Sequence, residues 1–234
     1  MDIKKSWDTE DWITNVRNIL DWASNISSNS SLMLILRHSH RETLRNHQDM
    51  ASAGITELGR QVAVEVGKRI RPGRPMDIYT SFIPRCHETA EGIADGYSEN
   101  GGEVIDISPL PTLVAPQILD HDVWNDLHPN GENVTDYVNR WVDGEFENRI
   151  EPFEDYRVRF MADTIERLIS AKEPIIFIHI THDLALLSAK RMLLERALKF
   201  EDREPYLGGL GVAKVDTGLE LFISSMNRSV SMSR

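Results

Sequence analysis

The stretch LMLILRHSHR, residues 32–41, decides the fold, because five apolar residues end abruptly in two arginines, two histidines and a serine. A short apolar run with polar boundaries is typical of a strand buried on both faces. Open α/β sheets bind their ligands at the carboxyl ends of such strands. Imidazole is a good nucleophile near neutral pH, and guanidinium groups bind tetrahedral oxyanions through paired N–H donors. The stretch therefore predicts chemistry on a phosphate group, with His38 as the reacting residue.

Two further strand ends carry residues of the same kind. PIIFIHI, residues 174–180, is a second buried strand, and it is followed by Thr181-His182-Asp183. DIYTS, residues 77–81, is a third strand, and Pro84 then occupies the favoured first position of a helix. Arg85 is therefore expected in the first turn of that helix, where free N–H groups attract anions. His179 lies within its strand and is interpreted as a core histidine.

Strands alternate with helical patterns along the chain, which predicts a three-layer α/β sandwich with a largely parallel central sheet. Further strands are predicted at 103–107, 211–216 and 220–224, and helices at 7–22, 56–70, 132–146, 156–171 and 184–198. The connection 108–129 contains four prolines and is expected to form a wall or lid over the pocket. The absence of a clear linker predicts one domain over residues 1–234, with residues 1–30 as a helical extension packed on its outside.

Composition narrows the possible partners. The chain has 234 residues, 41% hydrophobic and 27% charged, as in ordinary globular proteins. Its net charge of −11 argues against general binding of nucleic acid or anionic membrane, so a small phosphorylated substrate would need a local basic pocket. The single cysteine, Cys86, fits a reducing compartment. With no signal sequence and no apolar run long enough to span a bilayer, a cytoplasmic location is expected.

Four segments together resemble the motifs of the histidine phosphatase superfamily. Residues 37–41 resemble its RHGxR signature, with Ser39 where the family usually has glycine. Residues 55–61 are similar to its LTxxGxxQ helix start, residues 81–90 to its SPxxRxxxTA segment, and residues 181–183 to the late strand end with its second histidine. One such motif would be weak evidence, whereas four in the family's order are specific.

The resemblance implies a phosphoglycerate mutase-like fold and a phosphomonoester hydrolase that forms a phosphohistidine on His38. It implies that His182 binds the transferring phosphoryl group, that no cofactor or metal is needed, and that three arginines hold the phosphoryl oxygens, namely Arg37, Arg41 and Arg85. Ser39 raises a question, because a side chain must fit where backbone usually closes on the substrate.

The general acid distinguishes two branches of this family. In the branch that resembles acid phosphatases and phytases, the acid after the second histidine protonates the leaving oxygen, which here is Asp183. The branch that holds the phosphoglycerate mutases takes its acid from the loop after the third strand, but residues 109–117 contain no carboxylate. Asp183 is therefore favoured, although it could simply cap a helix. Asp120, Asp122 and Glu132 remain as later candidates.

Three other functions stay open at the level of sequence. His38 and His40, with His179, His182 and Asp183, could ligate a metal in a hydrolase, although the flanking arginines would repel a cation. A non-catalytic module could bind phosphorylated ligands through the same arginines. A mutase of the same fold would need a long-lived phosphoenzyme and a pocket that retains its product.

Overall fold

The computed structural model describes residues 7–223 and the strand 228–232, and its centre is a seven-stranded sheet. The strands are β1 (Ser31–Arg37), β2 (Met76–Thr80), β3 (Val104–Pro109), β4 (Ile176–Thr181), β5 (Gly209–Val215), β6 (Gly218–Ile223) and β7 (Arg228–Met232). Their order across the sheet is β3-β2-β4-β1-β5-β6-β7. The four strands from β3 to β1 are parallel, and β5, β6 and β7 continue the sheet antiparallel.

Helices cover both faces of this sheet, which confirms the predicted three-layer α/β fold with its parallel centre. The helices are α1 (Thr14–Asn25), α2 (His47–Ser52), α3 (Glu57–Arg69), α4 (Pro84–Glu99), α5 (His121–Asn125), α6 (Val134–Val142), α7 (Phe153–Asp163), α8 (Ile165–Ser170) and α9 (Asp183–Leu194). Within the described ranges, no helix is both long enough and apolar enough to cross a membrane.

Strand β1 has only apolar residues between its two ends, Ser31 and Arg37, and its packing shows why. Leu32, Leu34 and Leu36 pack with α1, α3 and α4 on one face, whereas Met33 and Ile35 pack with α6 to α9 on the other. Alternate side chains of a strand point to opposite faces, so a strand between two helical layers must be apolar throughout. Strand β4 is likewise buried at every residue, and His179 is its one polar side chain before the terminal Thr181.

The register of the central strands aligns their carboxyl ends. Arg37 at the end of β1 pairs with Thr181 at the end of β4, and Thr80 at the end of β2 pairs with Ile180. The residues that follow these strands therefore emerge side by side, as the sequence predicts.

Several boundaries differ from the sequence-based prediction. The helix expected at 156–171 is two helices, because Thr164 between α7 and α8 has φ −120° and ψ −81°. The helix expected to reach residue 198 ends at Leu194, where Glu195 adopts the left-handed conformation with φ 49°. Helix α2 lies in a segment for which no helix was predicted. The predicted closing hairpin is β5 and β6, while residue 224 of that prediction lies outside the described residues.

The amino-terminal segment packs against β5 and β6, with the predicted amphipathic face inward. Val16 and Ile19 of α1 are fully buried in the same hydrophobic cluster as β1. Trp22 stacks on Phe222 with ring centroids 5.5 Å apart. Asn15 donates a hydrogen bond of 2.6 Å to the carboxylate of Glu204, so the segment also contacts the loop that precedes β5.

Candidate active site

His38 and His182 meet at the edge of the sheet where β1 and β4 end. Their ring centroids are 5.6 Å apart, and their exposed fractions are 2% and 7%. The backbone N–H of His38 donates to the carbonyl oxygen of Thr181 at 2.9 Å, which ties the two strand ends together. The two histidines singled out in the sequence are therefore neighbours in a buried position.

The tautomer of His38 follows from a single contact. Its Nδ1 lies 2.8 Å from the carbonyl oxygen of Ser39, and because a carbonyl can only accept, Nδ1 carries the hydrogen. The lone pair is therefore on Nε2. Burial, reinforced by the positive charges of Arg37 and Arg85, holds the pKa of His38 well below its ordinary value. The ring is thus neutral near pH 7 and has the tautomer-fixing hydrogen bond that a nucleophilic histidine needs.

His182 has the opposite tautomer. Arg85 donates from Nη2 to Nδ1 of His182 at 3.0 Å, so the hydrogen is on Nε2, which donates to the hydroxyl of Ser81 at 2.9 Å. Burial and then the charge of Arg85 lower the pKa of His182 well below its ordinary value. Cys86 lies directly behind this ring, and burial raises the pKa of its thiol to about 12, so the thiol stays protonated.

Arg41 and Arg85 line the cavity in front of the two histidines. Arg85 is the second residue of α4, after Pro84, as the sequence predicts, and it also donates to the carbonyl oxygen of Met50 at 2.5 Å. Arg41 donates to the side chain of Asn130 at 3.0 Å. Burial lowers the pKa of both guanidinium groups without approaching neutrality. Both Nε atoms are buried with no partner in the part of the chain described, which suits an oxyanion ligand.

Arg37 is held behind the cavity rather than among the residues that line it. It donates to the carbonyl oxygen of Glu204 at 2.9 Å and forms an ion pair with Asp183 at 3.2 Å. Its guanidinium carbon lies 4.8 Å from the ring centroid of Tyr206, and the same ring lies 5.7 Å from that of His38. Arg37 is therefore oriented by three contacts beside the neighbouring histidine.

Asp183 is the first residue of α9, at the inner end of the cavity. Its carboxylate contacts Arg37 and also Arg203, at 2.8 Å. Burial alone would raise the pKa of Asp183, but these two arginines outweigh it and hold the pKa below the ordinary value. The remaining candidate acids, Asp120, Asp122 and Glu132, are not among the residues that line the cavity.

Ser39 fits the position where the family usually has glycine because its side chain turns away from the cavity. Its hydroxyl donates to the carbonyl oxygen of Gly59 in α3 at 2.8 Å, and its N–H donates to Thr89 at 2.9 Å. The side chain is fully buried. Gly59 has no room for a Cβ against the backbone of His40, so residues 37–41 lie directly on the start of α3.

The cavity itself encloses about 660 Å³ of space, including its open mouth. The connection 108–129 supplies part of its wall through Val114, Trp124, Leu127, His128 and Pro129, as predicted for this proline-rich segment.

His179 lies in the core and not in the site, as predicted. It is fully buried and stacks on Tyr79, with ring centroids 5.3 Å apart. Burial, helped by the charge of Arg167, lowers its pKa to about 3. Among the described residues, no group of three or more histidine, cysteine, aspartate or glutamate side chains could hold a metal ion. The metal-hydrolase alternative therefore gains no support.

Three residues of the site were missed by the sequence analysis. They are Arg203, Glu204 and Tyr206, which lie between a 3-10 turn (Phe200–Asp202) and β5. No apolar run or cap marks them, so the sequence carries no local signal for their role.

Comparison with known proteins gives the following matches. A sequence model of the histidine phosphatase superfamily (branch 1) matches residues 33–207. Comparison with curated proteins gives no match. A phosphoglycerate mutase structure from Bacillus anthracis is 14% identical, with a TM-score of 0.53 and coverage of 88% of this chain and 93% of the other. YhfR of Bacillus stearothermophilus is 20% identical, with a TM-score of 0.54 and coverage of 83% and 96%. Identities this low show the fold alone.

Proposed function

The chain belongs to the histidine phosphatase superfamily (branch 1), and from this premise we propose that it hydrolyses phosphomonoesters through a phosphohistidine formed on His38. The observation that carries the proposal is the hydrogen bond from Nδ1 of His38 to the carbonyl oxygen of Ser39, which leaves the lone pair on Nε2. Arg41, Arg85 and His182 line the same cavity. The guanidinium groups of Arg41 and Arg85 supply positive charge for the phosphoryl oxygens, and Nε donors that have no partner among the described residues.

The reaction has two steps. In the first, Nε2 of His38 attacks phosphorus, the P–N bond forms and the ester P–O bond breaks, and the alcohol leaves with a proton on its oxygen. The carbonyl oxygen of Ser39 stabilises the positive charge that the ring acquires. In the second, a water oxygen attacks phosphorus, the P–N bond breaks and inorganic phosphate leaves. The proton lost by that water replaces the one given to the alcohol, so His38 returns to its neutral form.

The chain matches branch 1, and the phosphoglycerate mutases take their acid from the loop after the third strand, but residues 109–117 contain no carboxylate here. We therefore assign the proton on the leaving oxygen to Asp183, in place of a loop acid, because it is the only carboxylate among the described residues that line the cavity. Its ion pairs with Arg37 and Arg203 hold the pKa below the ordinary value in the free protein. The acid form must therefore arise when the substrate binds. A phosphate dianion next to a carboxylate raises the pKa of that carboxylate, which is the condition this role requires.

The test is to trap the intermediate during turnover of a phosphorus-labelled aryl phosphate. Quenching in alkaline detergent should leave label on the wild-type protein, and acid should release it, as expected of a phosphoramidate. His38→Ala should carry no label, while His87→Ala, which removes an exposed histidine of α4, should carry the wild-type amount. Label on His38→Ala, or near-full turnover by it, would place the nucleophile elsewhere.

The fate of the label separates hydrolysis from the mutase reaction. Native phosphoenzyme, formed from a limiting amount of labelled ester without the detergent quench, should release inorganic phosphate within the time of one turnover. A phosphoenzyme that keeps its label until a phosphorylated acceptor is added would instead identify a mutase.

A further inference from the structure

Two kinds of residue line the cavity in front of His38. We call the buried or largely buried charged and imidazole group, His38, Arg41, Arg85, His182 and Asp183, its floor and the remainder its walls. Its floor carries the charged and imidazole groups described above. Its walls are formed by apolar side chains from four separate segments, the most prominent being Met50, Ile83, Val114, Trp124, Leu127 and Leu184. An ester group attached to a phosphate on the floor would therefore lie between apolar walls.

The walls provide few hydrogen-bonding groups for a polyhydroxylated or doubly charged substrate. Among the described residues that line the cavity there is no serine, threonine, asparagine, glutamine, tyrosine or lysine. The polar groups outside the floor are the imidazoles of His47 and His128 and the indole N–H of Trp124, and Nε2 of His47 is already bound to the carbonyl oxygen of Leu127 at 2.9 Å. A sugar or glycerate group bound here would lose hydrogen bonds to water without replacing them, which is costly.

An apolar surface continues beyond the mouth. A second depression shares Val114 and Trp124 with the cavity and adds Pro111, Pro116, Ile118 and Phe82. Phe82 is 62% exposed and lies next to the partly buried Val114 and Trp124 in this depression. Single exposed apolar residues need no explanation, but a contiguous patch that leads out of a buried anion site is typical of a binding groove.

We infer that the substrates are phosphomonoesters of apolar alcohols, alkyl or aryl, whose hydrocarbon group lies against Val114 and Trp124. The inference rests on the proposed phosphatase function and adds the chemical class of the ester group. The second depression allows that group to be longer than a single ring.

A series of straight-chain alkyl phosphates tests whether the substrates are esters of apolar alcohols, because the same kind of ester bond breaks in each. Ethyl, butyl and hexyl phosphate have leaving groups of nearly equal basicity, so their rates differ through binding. Each methylene removed from water should raise kcat/KM about fourfold, as follows from the usual free energy of burying a CH₂ group. Glycerol 3-phosphate, with a leaving group of similar type but two hydroxyls, should fall below ethyl phosphate.

Variants of wall residues test whether the walls cause the gain in kcat/KM with chain length. Trp124→Ala should reduce the gain per methylene, and Val114→Thr, which keeps the volume but adds a hydroxyl, should reduce it as well. Inhibition by inorganic phosphate should stay at the wild-type level in both, which shows that the floor is intact. Phe200→Ala is the matched control, because this aromatic residue is 71% exposed and lines neither depression.

The outcomes separate the inference from the function on which it rests. Hydrolysis with a flat alkyl series, or with glycerol 3-phosphate as the best substrate, would overturn the apolar class and leave the phosphatase. A steep series that neither Trp124→Ala nor Val114→Thr alters would overturn the assigned wall. No turnover of any ester and no label on His38 would overturn the phosphatase function itself.

Discussion

His179 offers a direct measurement of what a buried, unpartnered histidine does to stability. Both of its ring nitrogens lack a hydrogen-bond partner among the described residues, and the side chain is fully buried between β4 neighbours and Tyr79. His179→Leu replaces it with an apolar group of similar size. At neutral pH the change should be close to neutral, because an unsatisfied buried polar group is removed along with the ring stacking.

The size of the expected change in stability with pH follows from the pKa of His179. Its folded value of about 3 lies below the value of about 6.5 expected in the unfolded chain. As the pH falls below 6.5, the unfolded chain therefore binds a proton that the folded protein does not, and stability is lost. Linkage gives a loss of about 2 kcal/mol at pH 5 and almost none at pH 7.5. His179→Leu removes this loss.

Urea unfolding of the wild type and of His179→Leu, each at pH 7.5 and pH 5.0, measures this loss of stability. The change in unfolding free energy caused by His179→Leu is compared between the two pH values. This comparison cancels packing effects that do not depend on pH, and it cancels the titration of His38 and His182, which both proteins share. Relative to wild type, His179→Leu should gain about 2 kcal/mol between pH 7.5 and pH 5.0. Val158→Leu, at a position of α7 that is 59% exposed and cannot titrate, serves as control and should keep the wild-type pH dependence. Equal losses in wild type and His179→Leu would refute the reasoning.

Four further predictions concern the site. Because burial lowers the pKa of His38, the rate of phosphoenzyme formation in single-turnover experiments should not fall between pH 7 and pH 6, and a decline centred near pH 6.5 would contradict it. Arg85→Ala should weaken inhibition by inorganic phosphate and lower turnover by about 10³, and unchanged inhibition in a folded variant would remove Arg85 from the phosphate site. Asp183→Asn should slow alkyl esters by about 10² and aryl phosphates much less, whereas equal losses would mean that Asp183 acts by holding Arg37. Hydrolysis should survive a chelator, and activity lost to the chelator and restored by zinc or manganese would establish the metal alternative.

The sequence predicted the parts of this site that depend on local signals. A short apolar run with polar boundaries is typical of a strand between two helical layers, so β1 and β4 were predictable, the latter despite His179 within it. The positions of His38 and His182 followed from these two strands. A proline after a strand fixed the start of α4 and placed Arg85 in its first turn. These features are set by residues that are adjacent in the chain.

The features that the sequence did not reveal depend on contacts between distant segments. Arg203 reaches Asp183 only because the chain returns from a 3-10 turn before β5, and Tyr206 reaches His38 in the same way. The break between α7 and α8 was also hidden, because Ile165 and Leu168 keep apolar residues at helical spacing after Thr164. Periodicity detects which face is buried but not a change of backbone angle at one residue.

The contact between Asn15 and Glu204 affects how this protein can be shortened. The family match begins at residue 33, so removing residues 1–32 would keep every residue that we assign to catalysis. It would also remove the amide that binds the Glu204 carboxylate, and the backbone of Glu204 holds Arg37. The surface of β5 and β6 that α1 covers would become exposed to water. Low activity in such a shortened protein would therefore reflect displacement of Arg37. A version of the protein made for expression should begin before Trp7.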